Sequence, residues 1–151
     1  MASFERILVP TDFSAGSYAA LGYAVFLAQR LGSSIEVIAV YETPAGIPPD
    51  SRVTQPGQVA PETIAAVMRH AAEEKLRQFL SDVPGGKGLS FQPRVERGNA
   101  ADVIVRVARE DDIDLISMGT RGLGGGNAVG SVVERVIRDA PCPVLAVRVK
   151  Q

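Results

Sequence analysis

The chain of 151 residues has one cysteine (Cys142), one histidine (His70) and only three lysines among its sixteen basic residues. A single cysteine excludes a disulfide within the chain and any multi-cysteine metal site. No Cys/His cluster or paired-histidine spacing supplies a zinc ligand set, so no metal ligand is assigned. His70 falls mid-helix among Arg69, Glu73 and Glu74, which suits a helix-surface residue. Neither a Ser/His/Asp nor a Cys/His catalytic set can be assembled around it, and no catalytic residue is assigned. Long apolar runs are also missing: none approaches the roughly 20 residues of a membrane span. Met1 to Arg6 does not open like a secretory signal. The formal net charge of −1 gives no bulk attraction to nucleic acid or to an anionic membrane. The expectation is a cytoplasmic protein with no nucleic-acid or membrane partner.

The familiar phosphate-loop signatures are absent as well. There is no Gly-x-x-x-x-Gly-Lys-Ser/Thr, hence no lysine for the outer phosphates of a nucleotide. Gly-x-Gly-x-x-Gly cannot be laid on any glycine-rich stretch here, and the richest one follows a fourth strand rather than a first. A phosphoacceptor receiver would carry clustered acids after the first strand and a lysine near the fifth, and neither is present. Binding is therefore better supported than catalysis, and any nucleotide hydrolysis should be slow.

What is present is an ordinary globular composition, 46% apolar and 22% charged, over a length suited to one domain, residues 1–151. Phe4 to Val9 reads as a first strand ended by Pro10. Ala15 to Leu31 reads as a helix with Ser14 or Asp12 as its cap and Gly32 just past its end. Leu21, Val25, Ala28 and Leu31 form its apolar face. Ile35 to Tyr41 is a second strand. Thr43 to Pro61 holds five of the ten prolines and reads as a long connector, a mobile loop in the first place and otherwise a lid over the nucleoside end, since it leaves the C-terminus of the second strand. Glu62 to Leu80 is a helix, and Leu89 to Glu96 is a third strand that Pro93 confines to an edge. Asn99 caps a helix through Glu110, and Ile113 to Met118 is a fourth strand. Glu110-Asp111-Asp112 reads as a solvated turn. Cys142, between two prolines, reads as packing, and Val144 to Val149 is a fifth strand.

Strands alternating with helices imply a parallel sheet wound in both directions, with helices on both faces. In such sheets ligands bind beyond the strand C-termini where the winding reverses. Two features fall there. One is Asp12, placed to meet a ligand's hydroxyls or base nitrogens, although an aspartate after a strand also commonly bonds its own turn. The other runs from Gly119 to Ser131 and contains six glycines between a strand and a helix. Glycines let the main chain approach a phosphate, and the helix start supplies N–H groups and positive potential. A long loop capped by an ordinary helix fits this stretch equally well. Ser131-x-x-Glu134 reads as a capping box with Ser131 at the N-cap. Arg121 is the one cation in the loop, and its planar fork suits a phosphate.

Several of these stretches together resemble the universal stress protein family. They are Ile7-Leu8-Val9-Pro10-Thr11-Asp12-Phe13-Ser14, then Asp114-Leu115-Ile116-Ser117-Met118-Gly119-Thr120-Arg121-Gly122. The third is Gly130-Ser131-Val132-Val133-Glu134-Arg135-Val136, followed by Ala140-Pro141-Cys142-Pro143-Val144-Leu145. The resemblance implies a five-stranded sheet in the order 3-2-1-4-5 and, in the family's ATP-binding branch, ATP in the crevice, accompanied where needed by magnesium. By position, Asp12 and the backbone near Val40 would meet the nucleoside, and Thr11 and Met118 also belong to the cofactor site. Gly119, Arg121, Gly122, Gly130, Ser131 and Val132 would surround the ribose and phosphates. That branch separates Gly-x-x-Gly from Gly-Ser/Thr by nine residues, whereas here Leu123 to Val129 make seven. A nucleotide-free dimeric interaction protein is the alternative reading. The resemblance also implies a homodimer paired through the last strand, and an apolar edge such as Val144 to Val149 independently asks for a partner.

Overall fold

The computed structural model describes residues 3–122 and 129–149. Five parallel strands form one sheet: β1 (Arg6–Thr11), β2 (Ser34–Tyr41), β5 (Phe91–Arg97), β6 (Leu115–Gly119) and β7 (Val144–Val147). Their order is β5-β2-β1-β6-β7, which is 3-2-1-4-5 when these five are counted along the chain. Helices α1 (Ala15–Leu31) and α2 (Ile64–Leu80) cover one face, and α3 (Ala100–Glu110) and α4 (Ser131–Asp139) the other. Side chains alternate across β1 accordingly. Ile7 and Val9 enter the α1/α2 layer and Leu8 the α3/α4 layer, all fully buried.

α1 has the bounds its punctuation implies. Ser14 is the N-cap and accepts from the Ser17 N–H, and Gly32 ends the helix at φ 72°. Leu21, Val25 and Ala28 are buried, but Leu31 is exposed. On α2, Ala72 and Leu76 reach the core, Ile64, Met68 and Phe79 are half-buried, and Ala71 is exposed at the mouth of a surface cavity.

Pro10 does not end β1, which runs through it to Thr11. The Arg6 carbonyl accepts from the Asp114 N–H at 2.9 Å, so Arg6 faces β6, and strand alternation puts Pro10 on that same side. Pairing of β1 with β6 covers only Ile7 and Leu8, whereas pairing with β2 continues to Thr11. The missing N–H of proline therefore costs no ladder bond. The sheet opens between β1 and β6 beyond Leu8, and this opening is the root of the crevice described below.

Other boundaries move for local reasons. Glu62 and Thr63 are not helical. They form β4 (Glu62–Thr63), antiparallel to β3 (Arg52–Val53), and Thr63 is the N-cap of α2. The connector is thus tied to the start of α2, where the Ala65 N–H reaches the Pro49 carbonyl and the Ile64 N–H that of Ser51. The last strand is shorter than expected, Val144–Val147, and forms one edge of the sheet as β5 forms the other. Asp111 is no solvated turn: its carboxylate accepts from Arg94 Nη1 at 2.6 Å and its carbonyl from Arg6.

Arg94 on β5 also meets Glu36 at 3.2 Å and Glu96 at 2.9 Å, so one guanidinium serves three carboxylates. Burial and the neighbouring Asp111 push the Glu36 carboxyl above its usual range, against the pull of Arg94. A raised native value means that ionised Glu36 is disfavoured in the folded state, and the penalty disappears as pH falls and the group takes up its proton. Arg94→Met should therefore cost about 1–3 kcal/mol at neutral pH. The deficit should shrink as pH falls through the carboxylate range in urea denaturation; a pH-independent deficit would contradict this electrostatic account.

Candidate functional site

At the C-terminal end of the sheet, in the opening between β1 and β6, lies a cavity of about 270 Å³. That is near the small end of ligand pockets, about 300–1,000 Å³. All ten residues singled out from sequence line it: Thr11, Asp12, Val40, Met118, Gly119, Arg121, Gly122, Gly130, Ser131 and Val132. Val40 stands one residue beyond the last β1–β2 pair, Thr11 with Ala39, so its backbone overhangs the end of β1. Leu123 to Ala128, most of the glycine loop, lie outside the described residues.

The turn after β1 is held by a hydroxyl network. Ser17 Oγ donates to the Ser14 carbonyl at 2.9 Å, which leaves it to accept from Thr11 Oγ1 at 2.9 Å. Thr11 Oγ1 in turn accepts from the Phe13 N–H at 2.9 Å. Asp12 Oδ1 accepts from the Ser14 N–H at 3.0 Å, an Asx turn, so the turn-residue role weighed from sequence is real. Only one carboxylate oxygen is used that way. Oδ2 points toward Gly122, where a Cβ would come within 2.8 Å of it.

The far wall depends on two further glycine contacts. A Cβ on Gly119 would lie 2.8 Å from the backbone carbon of Gly16, so β6 and the first turn of α1 touch backbone to backbone. A Cβ on Gly16 would lie 3.1 Å from the Arg121 carbonyl. The strand end is then pinned on both sides, with the Thr120 N–H on the Val147 carbonyl at 3.0 Å and the Gly130 N–H on the Thr120 carbonyl at 2.7 Å.

Three helix N-termini converge on the cavity, and they are not equivalent. α1 is capped by Ser14 and α3 by Asn99, whose side chain accepts from the Asp102 N–H. α4 begins at Ser131 with Gly130 as its N-cap and no side-chain cap bond. Ser131 is therefore a first-turn residue and not the cap of a capping box, because the chain enters the helix one residue earlier than the Ser-x-x-Glu pattern implies. Among the described residues, the first amides of α4 have no side-chain acceptor, and they face the cavity with the positive end of the helix dipole.

Sequence reasoning missed the apolar wall opposite. Ile38, Ala100 and Ile104 line the cavity beside Val40 and Met118. Gly98 makes that approach possible: it sits at φ 141° with its N–H on the Tyr41 carbonyl at 2.9 Å. The Asn99 cap was the available signal, since it fixes the start of α3 at the same end of the sheet. No residue of the connector, 43–61, lines the cavity, so the connector does not cover it. Cys142 is remote and half-buried, and burial, then Asp114, raises its thiol pKa. Among the described residues no cluster of His, Cys, Asp and Glu could hold a metal ion, and no helix is long and apolar enough to cross a membrane.

Comparison with known proteins gives a consistent family. The model of the universal stress protein family matches residues 3–148. A universal stress protein of Methanocaldococcus jannaschii is 31% identical over 96% of this chain and 82% of its own length. One of Methanothermobacter thermautotrophicus is 30% identical over 96% of both chains. Among solved structures, UspA of Lactobacillus plantarum superposes with a TM-score of 0.67 at 25% identity, covering 98% of this chain and all of its own. A universal stress protein in complex with cAMP gives 0.70 at 24% identity, over 97% and 98% of the two chains. One from Archaeoglobus fulgidus in complex with dAMP gives 0.63 at 23%, over 97% and 98%.

The glycine contacts make a paired prediction. Gly119→Ala should destabilise the fold by about 2–3 kcal/mol, since backbone must move on one side or the other. Gly22→Ala, on the open face of α1 with nothing within 4 Å of its Cβ, should stabilise it by about 0.5–1 kcal/mol. Equal effects of the two in chemical denaturation would remove the close approach from the account.

Proposed function

Because this chain belongs to the universal stress protein family, we propose that its crevice binds an adenine nucleotide, ATP in the first instance. Occupancy would tune a dimeric regulatory module of the stress response. The observation that carries this reading is one cavity holding both an exposed carboxylate with a spare oxygen, Asp12, and the uncapped start of α4. The carboxylate suits hydroxyls or ring N–H groups, and the helix start suits phosphate oxygens. Between them the apolar side chains of Ile38, Val40, Ile104 and Met118 suit the faces of a purine. The cAMP and dAMP complexes of solved relatives support the adenine part.

In this assignment Asp12, Thr11 and the Val40 backbone hold the nucleoside. Gly119 and Gly122 let the ribose and phosphates lie against main chain, while Gly130, Ser131, Val132 and Arg121 surround the phosphates. Magnesium would arrive with the phosphates, since the protein presents no metal cluster of its own among the described residues. Among the described residues no histidine, thiol or lysine lines the cavity, so the site is read as a receptor whose hydrolysis, if any, is slow. β7 is an edge strand with Val149 41% exposed just beyond it, and pairing of two such edges gives the homodimer of this reading.

Titration calorimetry with ATP and magnesium should give saturable binding that Asp12→Ala weakens about tenfold, the loss of one or two hydrogen bonds to the ligand. No heat at millimolar nucleotide would favour the nucleotide-free alternative. Light scattering at micromolar protein should return the mass of a dimer, and a monomer would count against edge pairing.

A further inference from the structure

A second cavity, of about 280 Å³, lies across the sheet from the first. It shares Thr11, Asp12 and Val40 with the crevice but opens on the α1/α2 face, between the ends of β1 and β2 and helix α2. Phe13 is turned into this side by a left-handed backbone, φ 66°. Its ring packs edge-on against Phe79 at 5.8 Å, and Phe79 packs in the same way against Tyr18. The other walls are Tyr41, Met68 and Ala71, with Lys75 at the rim.

The charge on Lys75 is the second observation. Its neighbours on α2 are neutralised locally, Arg69 by Glu73 and Arg77 by Glu74. Lys75 has no carboxylate partner among the described residues, and its ammonium stands 6.0 Å from the centre of the Phe13 ring. Asp12 also lines this cavity, but its Oδ1 accepts from the Ser14 N–H and its Oδ2 is directed toward Gly122 on the crevice side. The charge at the mouth is therefore that of Lys75, which selects a ligand with an apolar body and a single negative charge. The volume of about 280 Å³ is nearly twice the roughly 150 Å³ that takes up benzene. Two aromatic walls and a methionine favour a planar ring system over an alkyl chain.

We propose that this cavity is a binding site for a small aromatic carboxylate, its rings between Phe13, Tyr41 and Met68 and its carboxylate on Lys75. The site adjoins the crevice and does not depend on nucleotide binding there, and Thr11, Asp12 and Val40 form a common wall through which two occupants would influence each other.

Equilibrium dialysis with 2-naphthoate and its neutral analogue 2-naphthamide tests this without nucleotide present. The protein should bind the acid saturably and about fivefold more tightly than the amide, the effect of one partly exposed ion pair. Lys75→Met should erase that preference and keep the amide affinity, Ala71→Phe should abolish both, and Arg77→Met should change neither. Amide NMR shifts should centre on Phe13, Tyr41, Met68 and Lys75. Absence of saturable binding at millimolar probe, a preference that survives Lys75→Met, or shifts centred on Gly119 and Ser131 would overturn the proposal. Each of these results is obtained whether or not the crevice binds ATP.

Discussion

The contact on which the site depends is the meeting of Gly16 and Gly119, where the first turn of α1 and the end of β6 touch with no side chain between them. A helix normally stands off a sheet by the width of its side chains. Removing both Cβ atoms lets the start of α1 drop against the strand that follows the opening in the sheet. Three things then happen together. The Asp12 turn is carried over Gly122, the Arg121 carbonyl is held beside Gly16, and the gap between β1 and β6 becomes a walled crevice. Pro10 belongs to the same arrangement, because a residue without an N–H is suited to the point where β1 loses its neighbour.

Charge is handled differently at the C-terminal end of the sheet and along its β2/β5 edge. At the C-terminal end, three helices point their N-termini at one cavity, and two of them spend their first amides on Ser14 and Asn99. Only α4 keeps its positive end available among the described residues, and that selects where an anion would sit. On the β2/β5 edge, by contrast, Arg94 gathers Glu36, Glu96 and Asp111, which ties the end of α3 to the sheet. Electrostatics thus separates a structural network from a site open to ligand, although both contain an arginine and carboxylates.

Much of this was legible in the residues. The bounds of α1 follow from Ser14 and Gly32, the doubly wound sheet from alternating strands and helices, the edge position of β5 from Pro93, and the strand order from the family resemblance. The grouping of Asp12 with the Gly119 to Ser131 stretch follows from the rule that ligand sites lie beyond the strand ends. The failures are local. Pro10, Glu62 and Thr63 follow strand pairing over intrinsic preference, through the end of β6 pairing and the β3–β4 pair, and Ser131 follows the earlier entry of the chain into α4 at Gly130. The apolar wall of Ile38, Ala100 and Ile104 was invisible because nothing in a sequence states which helix closes over which strand. Asp111 looked solvated because its partner Arg94 lies on another element.

The central claim is that one crevice receives both ends of an adenine nucleotide, and a crystal structure grown with ATP and magnesium tests it most directly. The account predicts density with the base against Val40 and Met118, the ribose near Asp12, and phosphates on the first amides of α4. Density for the nucleotide elsewhere on the molecule, or a crevice free of nucleotide at saturating ATP, would contradict it.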